Sequence, residues 1–333
     1  MAPELQAGRL AFFGIIMTQA NIHIIETVVA FALVVLLNVF LKKQEILKGS
    51  DTPTFTKLLT EVVLPVVIFF QFLRYPPSAR HLLPVLAMFI TGCSTLVGAW
   101  IIARMMGLSR PKTGALMIIS SFGSSSLLGY PLIQYTFPRD PAAMTEAILI
   151  SELAVGLPIF TLCPLVAMHF GEGSGTGSSP RALFQYFRSP IFIAVILGFA
   201  ASRFQIPLQS PFVVPILEAA KMINGTLAAL ACVILGLQIK VESVKRLVPI
   251  VAISAALQMG LQPVLAYGQA VLYHLGDLER QVLVLIAAMP SAVLGPVFAV
   301  RYKCDGELAS TVTFVNILLG ALGIPVIFWL LGR

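Results

Sequence analysis

Thr113–Phe137, TGALMIISSFGSSSLLGYPLIQYTF, is the stretch on which the reading of the fold turns. A run of about 20 residues rising 1.5 Å each covers a hydrocarbon core of about 30 Å, so this segment is long enough to cross a bilayer. Its middle is wrong for an ordinary membrane helix. Gly123 is followed by three hydroxyls, Ser124, Ser125 and Ser126, and then by Gly129 and Pro131, at the depth where helical hydrogen bonds should be least interrupted. The pattern predicts a broken helix. Open backbone is tolerated at that depth only where protein or a wet cavity satisfies it, so the break is a candidate binding site.

The rest of the chain agrees with a membrane setting. Of 333 residues 58% are hydrophobic and 11% are charged, against about 25% charged in soluble domains. An all-α integral membrane protein in a lipid bilayer is expected. The net charge of +7 would suggest nucleic acid in a soluble domain, but the basic residues lie between apolar runs, where they set orientation, and no nucleic-acid partner is expected. Cys93, Cys163 and Cys232 fall inside apolar segments and Cys304 in a short loop, with no close Cys/His spacing, which gives neither a disulfide framework nor a metal site. At the start, Arg9 and the run Leu10–Met17 loosely resemble a signal peptide ending at Thr18-Gln19-Ala20. Glu4 cancels the basic start and the run is too short to span, so an interfacial lead-in is expected rather than a cleaved signal.

Windows of about 20 residues place ten helical spans near 23–41, 56–73, 83–105, 113–137, 144–169, 188–204, 214–238, 247–272, 281–302 and 308–331. The longest polar interruption, Gly171–Pro180 (GEGSGTGSSP), has the composition of a flexible linker. It divides the chain into a first five-helix half, residues 1–170, a linker, 171–187, and a second half, 188–333. The halves read as repeats: LLGYPL in the fourth span faces VLGPVF in the ninth at an offset of about 166 to 167 residues. Five is odd, so two such halves lie in opposite orientations, and inverted repeats are the sequence sign of an alternating-access transporter. Fourteen basic residues follow odd-numbered spans, from Lys42 and Lys43 to Arg301 and Lys303, against seven on the other side. The positive-inside rule then puts both termini outside and the linker in the cytoplasm.

The segments AAMPSAVLGPVFAVRYKCDGELAS (287–310), FGSSSLLGYPL (122–132) and TEVVLPVVIFF (60–70) resemble the auxin efflux carrier family of membrane transporters, and the resemblance covers nearly the whole chain. It implies a fold of ten transmembrane helices as two inverted five-helix repeats, akin to bile-acid symporters and sodium/proton antiporters, in which helices four and nine break and cross. It also implies an organic-anion substrate: auxin in plants, small carboxylates such as malate or malonate in bacteria, whose inner membrane would be the location. Plant members carry Pro-Asn at the fourth-helix break where this chain has Gly123-Ser124, which makes auxin itself less expected. Pro131 matches a later family proline, and Pro290, followed by Ser291, stands where the family has its crossover proline.

The second piece of each broken helix starts near Ser124–Ser126 and near Ser291 and Ala292, where free backbone N–H groups and the positive end of the helix dipole suit a carboxylate. Serine hydroxyls add donors, and a site without a fixed Lys or Arg can hold an anion and still release it. A sodium ion could instead use carbonyls at the ends of the first pieces. Glu26, Glu61, Glu146 and Glu307 lie toward span ends, within reach of water. Glu152 lies deeper, and an intramembrane carboxyl of that kind is a candidate for proton or sodium coupling. No other cofactor is expected. Asn224, Gly225 and Thr226 read as a second polar break, in the seventh span, at the repeat position of Pro65 in the second. Packing explains them first, although the resemblance sets both spans beside the cavity and so makes Asn224 a candidate. Glu218 and Lys221 read as an exposed helical pair, and Asn316 as an interhelical hydrogen-bonding residue. An intramembrane serine protease would need a base near its serine, and no His or Lys falls at mid-depth. No G-x-x-x-x-G-K-[ST] occurs, so ATP-driven transport has no support. The leading expectation is therefore a secondary carrier, not an enzyme, for a small organic anion. The alternative is a ligand-binding membrane sensor on a transporter-like fold. A homodimer is an assembly open to either.

Overall fold

A computed structural model describes residues 19–74, 82–137, 140–172, 188–204, 209–211, 213–239 and 243–330. The lead-in before residue 19, most of the central linker and Arg333 lie outside the described residues. The described chain is helical: α1 (Gln19–Lys43), α2 (52–74), α3 (Leu82–Met105), α4 in two pieces, α4a (Arg110–Ser121) and α4b (125–136), α5 (141–170), α6 (Pro190–Ala201), α7 (Val214–Gln238), α8 (243–272), α9 in two pieces, α9a (Asp277–Ala287) and α9b (Leu294–Arg301), and α10 (Gly306–Leu330). Among the described residues five stretches are long and apolar enough to cross a membrane, Gly49–Phe70, Leu82–Met105, Ala142–Phe170, Val214–Gln238 and Arg246–Leu272. Pro190–Ala201 and Gly306–Gly320 are shorter apolar helices.

Four helices widen into a π turn: α2 at Leu59–Val63, α4b at Ser125–Gly129, α5 at Ile150–Gly156 and α8 at Ala256–Leu261. Each turn ends two residues before a proline, Pro65, Pro131, Pro158 and Pro263. A proline has no N–H for the carbonyl four residues back, and its ring presses on that carbonyl. Widening the preceding turn relieves both. The widened turns carry Glu61, Ser125, Ser151, Glu152 and Gln258, so the prolines also decide where polar side chains leave otherwise apolar helices.

The helices fall into two packing groups. In one, α6 lies on α2, and α7 packs on α1 and α2. Gly236 permits the α1–α7 approach, since a Cβ there would sit 2.6 Å from that of Asn38. Lys42 then reaches the carbonyls of Leu237 and Ile239 at 2.7 and 3.2 Å, the negative end of α7. In the other group α3 packs on α4a, α5 on α3 and α4a, α8 on α9a, and α10 on α8 and α9b. On α3 the buried residues Ala87, Thr91, Thr95, Ala99 and Ala103 recur every fourth position, a stripe of small side chains of the kind that lets membrane helices approach closely.

The loops that the sequence marks as basic meet at one end. Arg110 donates to the carbonyl of His169 (2.7 Å), the Glu172 amide to Lys303 (2.9 Å) and the Asp305 amide to Pro111 (3.2 Å). Arg301 pairs with Glu61 at 2.5 Å and Arg246 with Glu307 at 3.6 Å. The ends of α5, α7 and α9b and the starts of α4a, α8 and α10 therefore share a face.

Two expectations are corrected. Asn224-Gly225-Thr226 does not break the seventh span: α7 runs as unbroken α-helix from Val214 to Gln238, because a lone glycine removes no helical hydrogen bond and costs only about 1 kcal/mol relative to alanine. Glu146, expected within reach of water, is buried, since α4b and α9a cover the start of α5.

Candidate functional site

Between α4a and α4b the chain is extended at Phe122, and between α9a and α9b it leaves the helix after Ala287. The two unwound segments cross and pair. Gly123 and Ser291 form an antiparallel bridge, in which the Ser124 amide donates to Pro290 at 2.7 Å and the Ala292 amide to Phe122 at 3.2 Å. This is how two helices can break at one depth without exposing backbone to hydrocarbon, since each break supplies the other's missing partners. The crossing is tight. A Cβ on Gly123 would lie 2.5 Å from the Met289 carbonyl oxygen, and one on Gly320 would lie 2.7 Å from the Pro290 ring.

One side of the crossing is sealed by amides. Gln262 Nε2 donates to the carbonyls of Ser121 (2.7 Å) and Ser120 (3.3 Å) and to Thr95 Oγ1 (3.0 Å). Gln258 Nε2 donates to Phe122 (3.2 Å), while its Oε1 accepts from Ser291 Oγ at 2.7 Å. Asn316 Nδ2 reaches both Ser291 Oγ and Ser254 Oγ at 2.9 Å, and Ser120 Oγ meets Ser254 Oγ at 2.9 Å. These side chains are fully buried. The carbonyls closing α4a, which the sequence offered as a place for sodium, thus carry glutamine donors.

The other side opens on a cavity of about 470 Å³. Gly123, Ser124, Ser125 and Tyr130 of α4 and Ala292, Val293 and Leu294 of α9 form one wall, with Ser151, Glu152 and Phe160 of α5 beside them. Facing these are Val66, Val67 and Phe70 of α2 and a stripe of α7, Leu217, Lys221, Asn224 and Ala228. Ser125 and Ser151 share a hydroxyl hydrogen bond at 2.5 Å, and the Tyr130 hydroxyl donates to Glu152 Oε1. Two π turns, those of α4b and α5, aim these groups at one space.

Of the candidate residues, the cavity gathers Gly123, Ser124, Ser125, Asn224 and Glu152. Pro290 and Ser291 belong to the crossing but not to the cavity lining: the proline packs on α10 and the serine hydroxyl points into the sealed side. The side chains of Ser126 and Pro131 lie outside the described residues. The amides of Ser124 and Ala292, expected to be free for an anion, are instead consumed by the crossing itself. The first amides of α4b and α9b, at Ser125 and Ser126 and at Leu294, have no carbonyl a turn behind them in their own helices. Lys221 was missed as a cavity residue. Its pair with Glu218 is present at 2.5 Å, but the spacing Leu217, Lys221, Asn224, Ala228 sets it on one helical face with Asn224, a periodicity that the sequence already displayed. Among the described residues no group of three or more His, Cys, Asp or Glu side chains is placed to hold a metal ion.

Residues 178–328 match the family described as membrane transport protein. Two relatives extend the likeness along the chain. An uncharacterized transporter of Methanothermobacter thermautotrophicus is 27% identical over 303 residues, which cover 90% of this chain and 96% of that protein. An uncharacterized transporter of Methanocaldococcus jannaschii is 24% identical over 316 residues, 92% and 98% of the two chains. The chain is thus similar to membrane transport proteins, by the family match in its second half and by these two relatives along most of its length. Its apolar helices, together with this likeness, mark it as a multi-pass membrane protein. The segments that carried the resemblance form the crossing, α9b and the cavity face of α2.

Proposed function

We propose that the protein is a secondary carrier that moves a small organic anion by alternating access between two inverted five-helix repeats, residues 1–170 and 188–333, joined by the linker 171–187. The observation that carries the reading is the cavity at the crossing of α4 and α9, lined by Gly123, Ser124 and Ser125 on one side and Ala292–Leu294 on the other. Two helices begin there, so unpaired N–H groups and positive dipole ends face one space, a setting that favours a carboxylate. Apolar walls from α2, α5 and α7 leave room for a compact carbon skeleton. The repeat relation rests on equivalent breaks, at 122–124 in one half and 288–293 in the other. Ser125 has a serine as its hydroxyl partner, not a base, which favours binding over nucleophilic chemistry. Glu152, held by Tyr130 on the cavity wall, is the group through which proton or sodium coupling would act. By the positive-inside rule the basic loops at one end support a cytoplasmic position for that end, with both termini outside, in a plasma membrane.

The test is uptake into proteoliposomes with a panel of labelled carboxylates, with and without pH and sodium gradients. Saturable accumulation without ATP is the expected result. Saturable binding with no flux would make the protein a sensor, and no binding of any carboxylate would remove the anion from the account.

A further inference from the structure

We infer that Lys221 determines specificity in this cavity: it takes a second acidic group of the substrate, exchanging its partner Glu218 for the incoming carboxylate. The inference rests on the anion-carrier reading and deepens it.

Lys221 is the one basic side chain among the described residues that line the cavity. It is the eighth residue of α7, about 10 Å from the helix start at 1.5 Å per residue, and shares the cavity-facing stripe with Leu217 and Asn224. Its ammonium lies 2.5 Å from Glu218, and the two side chains are 54% and 58% exposed. Glu218 is not among the lining residues. The ammonium of a lysine on the cavity wall is thus paired with a carboxylate set to one side of it. A half-exposed pair of this kind contributes little to stability, so parting it costs little. An incoming carboxylate offers the same charge with a better approach from the cavity.

Position gives the exchange its meaning. The helix starts and hydroxyls at the crossing belong to α4 and α9, in one packing group; Lys221 belongs to α7, in the other, on the facing wall. A substrate with one acidic group satisfies the crossing and leaves the Lys221–Glu218 pair intact. One with two acidic groups bridges both walls, because its second group replaces Glu218 on the ammonium. Lys221 therefore distinguishes two-headed from one-headed anions by charge, while the apolar walls, indifferent to charge, set the length.

The experiment measures binding of malonate, succinate and glutarate to the purified protein, with propionate, butyrate and valerate as one-headed counterparts. The wild type should prefer a two-headed member. Lys221→Gln should weaken that member by about ten- to a hundredfold, the range for a lost hydrogen bond to a charged group, and leave the one-headed acids within about twofold. Lys221→Arg should restore most of the preference, which a merely misfolded protein would not show. Glu218→Gln frees the ammonium and should tighten the two-headed anion. Equal losses for both classes in Lys221→Gln, no loss in either, or weaker binding in Glu218→Gln overturns the inference alone. A wild type that binds neither class overturns the carrier reading beneath it.

Discussion

Replacing Gly123 by alanine attacks the crossing without touching a polar side chain. The new Cβ would stand 2.5 Å from Met289 O, 3.0 Å from Met289 Cβ and 3.1 Å from the Met289 carbonyl carbon. Non-bonded carbon contacts are comfortable at about 3.5–4.0 Å, so the two unwound segments must part by about 1 Å. The obstacle is backbone and cannot rotate away. A displacement of that size takes the Ser124 amide and the Pro290 carbonyl, now 2.7 Å apart, beyond hydrogen-bonding range, and the 3.2 Å bond from Ala292 to Phe122 goes with it. Each buried group left without a partner costs about 1–3 kcal/mol, and since Phe122 O still accepts from Gln258 Nε2, the three groups left over, the Ser124 and Ala292 amides and the Pro290 carbonyl, should cost roughly 3–9 kcal/mol. Gly225 is the control: a Cβ there meets nothing within 4 Å, and in the interior of α7 alanine should be better than glycine by about 1 kcal/mol. Thermal unfolding of the two purified variants reads both effects. Gly123→Ala should melt well below wild type and Gly225→Ala at or above it. A Gly123→Ala protein with the wild-type midpoint would mean that the crossing is not packed as described.

Two further outcomes follow from the cavity wall. Ser124→Ala removes one donor from the lining and leaves the Ser124–Pro290 backbone bond in place, so carboxylate affinity should fall by roughly three- to a hundredfold with the melting temperature unchanged; unchanged affinity would take the hydroxyl out of the site. Glu152→Gln keeps the shape that Tyr130 holds but cannot titrate, so flux should lose its dependence on a pH or sodium gradient while binding persists; wild-type gradient dependence in that variant would make the residue structural.

Much of this architecture was legible in the chain, and the reasons differ by element. Helix positions followed from apolar runs, since bilayer thickness fixes their length. The break at Gly123 and its counterpart after Ala287 followed from small and proline residues where a membrane helix should be continuous. What the breaks bond to did not follow, because the partners of Ser124 and Phe122 lie about 170 residues away and neither sequence names the other. Ser291 read as a donor to a ligand because a hydroxyl at a helix start has that capacity; only packing shows that Gln258 and Asn316 claim it. Lys221 was read by its neighbour Glu218 rather than by its helical face. The prolines were available as signals of the four widened turns, but only Pro65 and Pro131 were taken as marking breaks, and Pro158 and Pro263 were not.

The central claim is that an anion binds at the crossing of α4 and α9, and Pro290→Ala tests it most directly. Pro290 lends its carbonyl to Ser124 and its ring to the face of α10, and without the ring α9 can continue its hydrogen bonds through the break. Binding of the transported carboxylate to purified, thermally characterised Pro290→Ala protein is the measurement. The account predicts a protein that is made, inserted and folded but that binds no substrate. A stable Pro290→Ala protein with wild-type affinity and transport would contradict it and move the site away from the crossing.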